Sequence, residues 1–177
     1  LLRLDALLAM KDRPAAEAQL AELDSLSRHM RSTRARVSLA KARMSCGEER
    51  EKHLVRASAV FSQLRDRKGQ AEVSLLRAES LLSVGEFGKS CGDFLRALDH
   101  AALGSESWRR ATAGLLQARM RTYSSDLGPS IEAFLGKAKE LGDMKTLAHA
   151  SHIASLWLIR QRRWSNAEEK LKVSLAL

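Results

Sequence analysis

The sequence predicts an all-α protein, a right-handed α-solenoid of about five helix-turn-helix repeats, and three observations lead there. The 177 residues include only two prolines and ten glycines and are rich in Ala, Leu, Arg and Glu, while no run of alternating β-branched residues appears. Apolar residues recur at helical spacing along the whole chain. A small–large signature also repeats: Ala16-Leu20-Leu23, Ala57-Phe61-Leu64, Ser90-Phe94-Ala97, Ser130-Phe134-Lys137 and Ala167-Leu171-Ser174. Its first members are 41, 33, 40 and 37 residues apart, the loose period of stacked helix pairs. A small residue one turn before a bulky one lets two helices approach closely around a single knob.

Taken in order, the periodicity predicts helices at 1–10 and 14–26, 32–45 and 51–65, 70–83 and 87–102, 107–124 and 129–141, and 144–160 and 165–177. The stretch Ala71–Ala97 shows one pair most clearly. Leu75, Ala78, Leu81 and Leu82 make one face of a first helix, Val84-Gly85-Glu86 turns the chain, and Ser90, Phe94 and Ala97 face back from a second helix. Gly69, Gly104 and Gly142 fall where one pair hands over to the next, the place of a left-handed C-cap. Pro14 and Pro129 fall at starts of second helices, where a missing N–H costs nothing. Ser165-x-x-Glu168 reads as a capping box at the matching point of the last pair. The charged stretch Ser45–His53 reads as the one irregular turn. No linker long enough to separate domains is visible, so residues 1–177 are expected to form one superhelical domain. The chain opens without methionine and closes on an apolar, still periodic Val173–Leu177, which reads as a piece of something longer or a segment covered by a partner.

The small residue at Ala78, the glycine turn at Gly85 and the aromatic at Phe87 resemble the tetratricopeptide repeat. With LRDRKGQAE (Leu64–Glu72) and ELGDMKTLAHA (Glu140–Ala150) at the joints, the chain is similar to a longer-repeat subgroup of that superfamily. The subgroup includes kinesin light chains, sensor domains of large bacterial transcription regulators, and anaphase-promoting complex subunit 5. The run His53–Leu98 has a layout similar to the carboxy-terminal repeats of the last of these. The resemblance implies a non-catalytic scaffold for protein–protein interaction inside a larger protein or multi-subunit complex. An alternative of another class is the ligand-sensing domain of a bacterial transcription regulator.

The resemblance also implies a concave groove lined by the first helix of each pair. Carried onto this sequence, that groove would hold Arg36, Leu39 and Arg43, then Glu72, Leu75 and Glu79, then Leu115 and Arg119, and finally His152, with Thr112, His149 and Leu156 beside them. The three leucines would supply apolar contact, and Arg36, Arg43 and Arg119 would orient a partner. Chaperone-tail binders of this superfamily use Asn on these helices. Here Asn166 is the only asparagine, and it lies on none of them.

The net charge of +9 narrows the partner. Between Arg28 and Lys68 stand twelve Lys or Arg against four acids, and Arg109, Arg110, Arg119 and Arg121 have no acid between them. An acidic protein or peptide partner is the expected consequence. A solvated face with ladders between repeats is the plainer reading for Arg43, Glu79 and Arg119, which alternate in sign at equivalent places. Nucleic acid is disfavoured, because aromatics are scarce and no helix-turn-helix or zinc-finger spacing occurs. His149 and His152 lie on adjacent turns, but nothing nearby completes a metal site. No Gly-rich phosphate loop, H-E-x-x-H or G-x-S-x-G is present, so the expectation is no enzymatic activity, no catalytic residue and no cofactor. Trp108, Trp157 and Trp164 read as core or helix-entry residues, with Tyr123 and Trp157 as possible partner anchors. No apolar run reaches the length of a membrane span. Cys46 and Cys91 stand far apart and read as free thiols, which places the protein in the cytoplasm or nucleus.

Overall fold

The computed structural model describes residues 13–26, 31–122 and 126–176. Among these residues it is helical throughout, with no strand, and contains nine helices. They are α1 (Arg13–Leu26), α2 (Arg31–Met44), α3 (Gly47–Gln63), α4 (Arg67–Ser83), α5 (Phe87–His100), α6 (Glu106–Arg121), α7 (Leu127–Leu141), α8 (Met144–Arg160) and α9 (Trp164–Ala176). The helix expected at 1–10 and the candidate anchor Tyr123 lie outside the described residues. The chain divides into two compact units, one ending at Leu76 and one beginning at Arg77, and the division falls within α4.

In the first unit α1 packs on α2 and α2 on α3. Ala16 and Leu20 meet Val37 and Ala40 across the first of these contacts. Leu39, Leu54, Phe61 and Val73 form the neighbouring core. In the second unit α5 packs on α6, α6 on α7 and α8, and α8 on both α7 and α9. The larger core there gathers Leu116, Ile131, Phe134, Leu135 and Ile153, with the half-buried Trp108 and Trp157 against it. Trp108 meets Phe134 edge to face at a centroid distance of 5.7 Å.

The small–large pairs are what this packing uses. Ala57, Phe61, Ser90 and Phe94 are all essentially inaccessible, as are Ala16 and Ala167. The third members vary: Ala97 is buried, Leu64 is 43% exposed, and Lys137 pairs with Glu140 at 2.7 Å. Phe61 and Phe94 need room on the facing helix, and two glycines provide it. A Cβ on Gly69 would lie 2.6 Å from Phe61 Cε1 and closer still to Cδ1. One on Gly114 would lie 2.9 Å from Phe94 Cε2 and closer still to Cζ.

That corrects the expected role of Gly69, which sits inside α4 as a notch and not as a cap. Gly142 is the left-handed C-cap of α7, with φ +61°. Gly104 also has positive φ (+74°), but in the loop beyond α5, where Ala101 closes the helix in an extended conformation. The turns after α3, α4 and α8 share one pattern. In each, two successive amides return to carbonyls of the last helical turn: Asp66 to Phe61 and Arg65 to Ser62, Glu86 to Leu81 and Gly85 to Leu82, Arg163 to Leu158 and Arg162 to Ile159. This is the Schellman arrangement, which requires positive φ at one residue. Gly85 supplies it at φ +83°, whereas Arg65 (+52°) and Arg162 (+58°) adopt it with a side chain. Arg162→Gly is therefore expected to raise stability by about 0.5–1 kcal/mol, read as a higher urea midpoint with an unchanged slope.

Two other signals resolve differently in three dimensions. Helix α9 starts at Trp164, so Ser165 lies inside it and Glu168 pairs with Lys172 at 2.8 Å; there is no capping box. The stretch Ser45–His53 is not an irregular turn, because only Ser45 and Cys46 are non-helical. Glu48 and Glu49 occupy the first turn of α3, where carboxylates offset the positive helix end. Arg50 donates back to the carbonyls of Ala42 (3.1 Å) and Ser45 (2.8 Å), closing the end of α2. Among the described residues no helix is long and apolar enough to cross a membrane.

Candidate binding surface

Charged side chains on α2, α4, α6 and α8, the first helices of the predicted pairs, connect neighbouring members of that set. In the first unit Arg43 on α2 reaches Glu72 on α4 at 3.2 Å. In the second unit Arg110 on α6 grips both carboxylate oxygens of Glu79 on α4, donating from Nε to Oε1 at 3.1 Å and from Nη2 to Oε2 at 2.8 Å. Arg109 on α6 spans to Asp143 at the start of α8 at 3.2 Å, and also pairs with Glu106. Arg160 on α8 donates to the Met120 carbonyl on α6. Two parallel N–H bonds to one carboxylate give Arg110 a fixed orientation that a lysine would not have.

Asp143 has several partners at once. It caps α8 by accepting from the amides of Lys145 (3.2 Å) and Thr146 (3.1 Å), and it accepts from the Thr146 hydroxyl. The Thr146 hydroxyl bond is the largest cause of its lowered pKa, with the two amides and Arg109 adding to it against some desolvation. The pKa of His149 is lowered as well: desolvation comes first, followed by the positive charges of Arg109, His152 and Arg110. Those four residues thus share one electropositive neighbourhood on α6 and α8. Among the described residues no group of three or more His, Cys, Asp or Glu could hold a metal ion.

The structure separates the expected groove residues into three sets. Arg43, Glu72 and Glu79 are half-buried and engaged in the pairs above, and Arg36 is exposed, 3.7 Å from Asp66. His152 is exposed on α8 near His149. Leu39, Leu75 and Leu115 are 4%, 2% and 7% exposed, so they belong to the core and offer a partner no surface. Arg119 lies close enough to Cys91 of α5 to oppose the burial-raised pKa of that thiol, and it pairs with Asp126 at 3.3 Å. The face of α6 turned towards α4 and α8 carries Arg110, Gln117 and Arg121 instead. The expected alternation of Arg43, Glu79 and Arg119 therefore resolves into three separate pairs with other partners.

Two surface hollows accompany these helices. In the first unit one of about 610 Å³ opens between α1, α2 and α3, with Lys41, Met44, Cys46 and His53 among its lining residues. In the second, one of about 560 Å³ lies where α4, α6 and α8 end. Its lining includes Leu82, Phe87, Met120 and Leu156, with Gln117, Arg121 and Arg160 around them. Of these, sequence reasoning placed only Leu156 beside the groove; Arg121 stood in the basic run, Leu82 on a helix face and Phe87 after the turn, while Met120, Gln117 and Arg160 were not singled out. Cys46 and Cys91 are both free thiols, the first exposed. Trp164, expected at a helix entry, stands at the first position of α9 but is 62% exposed.

In comparisons with protein-family models, curated proteins and solved structures, nothing matches the chain.

Proposed function

We propose that this chain is a non-catalytic docking scaffold, a solenoid of tetratricopeptide-like helix pairs that binds an acidic protein partner in the cytoplasm or nucleus. The recurring burial of Ala16/Leu20, Ala57/Phe61 and Ser90/Phe94 supports the repeat reading, since each pair fills the same role in its own hairpin. The observation that carries the partner is the corner of the first unit around Asp66. There a single carboxylate caps α4 through the Gly69 amide (3.0 Å) and meets Arg36, while Arg65, Arg67 and Lys68 follow or precede it in the chain. Arg65, Arg67 and Lys68 are exposed, as are Arg31 and Arg34 on α2. Along the chain at this corner, Arg65, Arg67 and Lys68 outnumber the single acid, Asp66. Such an imbalance raises self-repulsion unless an anionic partner relieves it, and it accelerates encounter with one.

The test compares proteins captured by the chain with those captured by the Arg36→Glu, Lys68→Glu double variant, using nuclease-treated extract and quantitative mass spectrometry. The expected result is one or more proteins with acidic segments, retained at moderate salt and reduced at least ten-fold by the charge reversal, on the order of two desolvated ion pairs. Equal capture by both forms removes the acidic-partner reading. Capture that depends on intact nucleic acid, with a steep loss between low and moderate salt, transfers the corner to phosphate binding.

A further inference from the structure

We infer that the hollow at the ends of α4, α6 and α8 binds a small amphiphilic organic acid, with an apolar body of medium acyl length and one carboxylate. The site lies wholly within the second unit and does not depend on the docking reading above. Its floor comes from four different helices: Leu82 on α4, Phe87 at the start of α5, Met120 on α6 and Leu156 on α8. Met120 is 8% exposed and the other three are half-buried, so the floor is fixed by the core beneath it and open above. A volume of about 560 Å³ falls in the range of small-molecule sites. It is larger than a single inserted side chain requires.

The rim is what selects the head group. Arg121 ends α6 and Arg160 ends α8, both exposed, with the Gln117 amide nearby, and among the described residues none that line the hollow is acidic. The bond from Arg160 to the Met120 carbonyl holds its guanidinium against the wall of the hollow. A plainer role for both arginines is to offset the partial negative charge where their helices end. Each such end carries only about half a unit charge, so the full guanidinium charge of Arg121 exceeds what its own helix end offsets. An inorganic anion would gain from that rim but waste the apolar floor, and a neutral apolar molecule would make no use of the Arg121 charge. A carboxylate on an apolar chain satisfies both, with a planar head group matched to the guanidinium fork.

The experiment titrates the whole chain with decanoate, decanol and decylamine, followed by calorimetry and by methyl NMR shifts of Leu82, Met120 and Leu156. The expected result is one saturable decanoate site per chain, shifts confined to those methyls, decanol at least five-fold weaker and decylamine weaker still. In the Arg121→Gln, Arg160→Gln variant, whose folding is checked by circular dichroism, decanoate affinity falls about ten-fold while decanol affinity stays unchanged. Absence of saturable decanoate binding overturns the inference. So does equal affinity for all three probes, or an arginine variant that binds decanoate as before, since either means non-selective adsorption to an apolar patch.

Discussion

Gly114→Val is expected to destabilise the second unit by about 3 kcal/mol, the upper range for overpacking a closed core. The glycine sits mid-helix in α6, where it forgoes helix propensity, and it does so because the Phe94 ring occupies the space a Cβ would need. Phe94 is fully inaccessible, so the ring has nowhere to retreat. Gly114→Ala should cost less, because alanine returns about 1 kcal/mol of propensity. Combining Gly114→Ala with Phe94→Leu should recover stability relative to the sum of the single changes, a coupling above about 1 kcal/mol measured by urea unfolding. Simple additivity would mean that the notch is incidental. The same reasoning applies to Gly69 against Phe61 in the first unit.

Arg109→Met should cost about 2 kcal/mol, because it deletes a buried charge that joins two helices while keeping most of the aliphatic packing. Arg109 is 8% exposed and is held by Glu106 and Asp143. The pH dependence follows from the other end of this network. Asp143 has a folded pKa below its ordinary 3.8, so the unfolded chain takes up the proton first as pH falls. The stability this carboxylate contributes is complete above that ordinary value and disappears as pH drops through the depressed one. The Thr146 hydroxyl is the first cause of the depression, so Thr146→Val should flatten the acid limb of the stability curve more than Arg109→Met does. Urea midpoints collected from neutral pH down to acid separate the two; a steeper acid limb in Thr146→Val would refute the assignment.

How much of this was legible beforehand depends on how many faces of a helix are buried. Helices α5 and α8 announce their orientation, because Ser90, Phe94 and Ala97 on one and His149, His152 and Leu156 on the other contrast with their surroundings. Helix α6 does not. Arg109, Ala111, Ala113, Gly114, Leu115, Leu116, Ala118 and Met120 are all buried, so its apolar pattern runs around the cylinder and points nowhere. Leu115, expected in the groove, is buried, while Gln117 and Arg121 line the hollow. Leu39 and Leu75 failed for a related reason: three-residue spacing places a side chain on a face but not above or below the neighbouring helix.

For the described residues, the sequence alone settled that they are helical, where those helices begin and end to within a few residues, and that Ala16/Leu20, Ala57/Phe61 and Ser90/Phe94 are buried pairs. Those are local or nearest-neighbour properties, set by propensity, capping and side-chain volume within one or two turns. Tertiary structure decided which cations are spent on partners, that Gly69 and Gly114 are notches, and that Leu82, Phe87, Met120 and Leu156 share one floor. Each of these depends on groups brought together from distant parts of the chain, and helical period carries no information about which turn of one helix will rest on which turn of another.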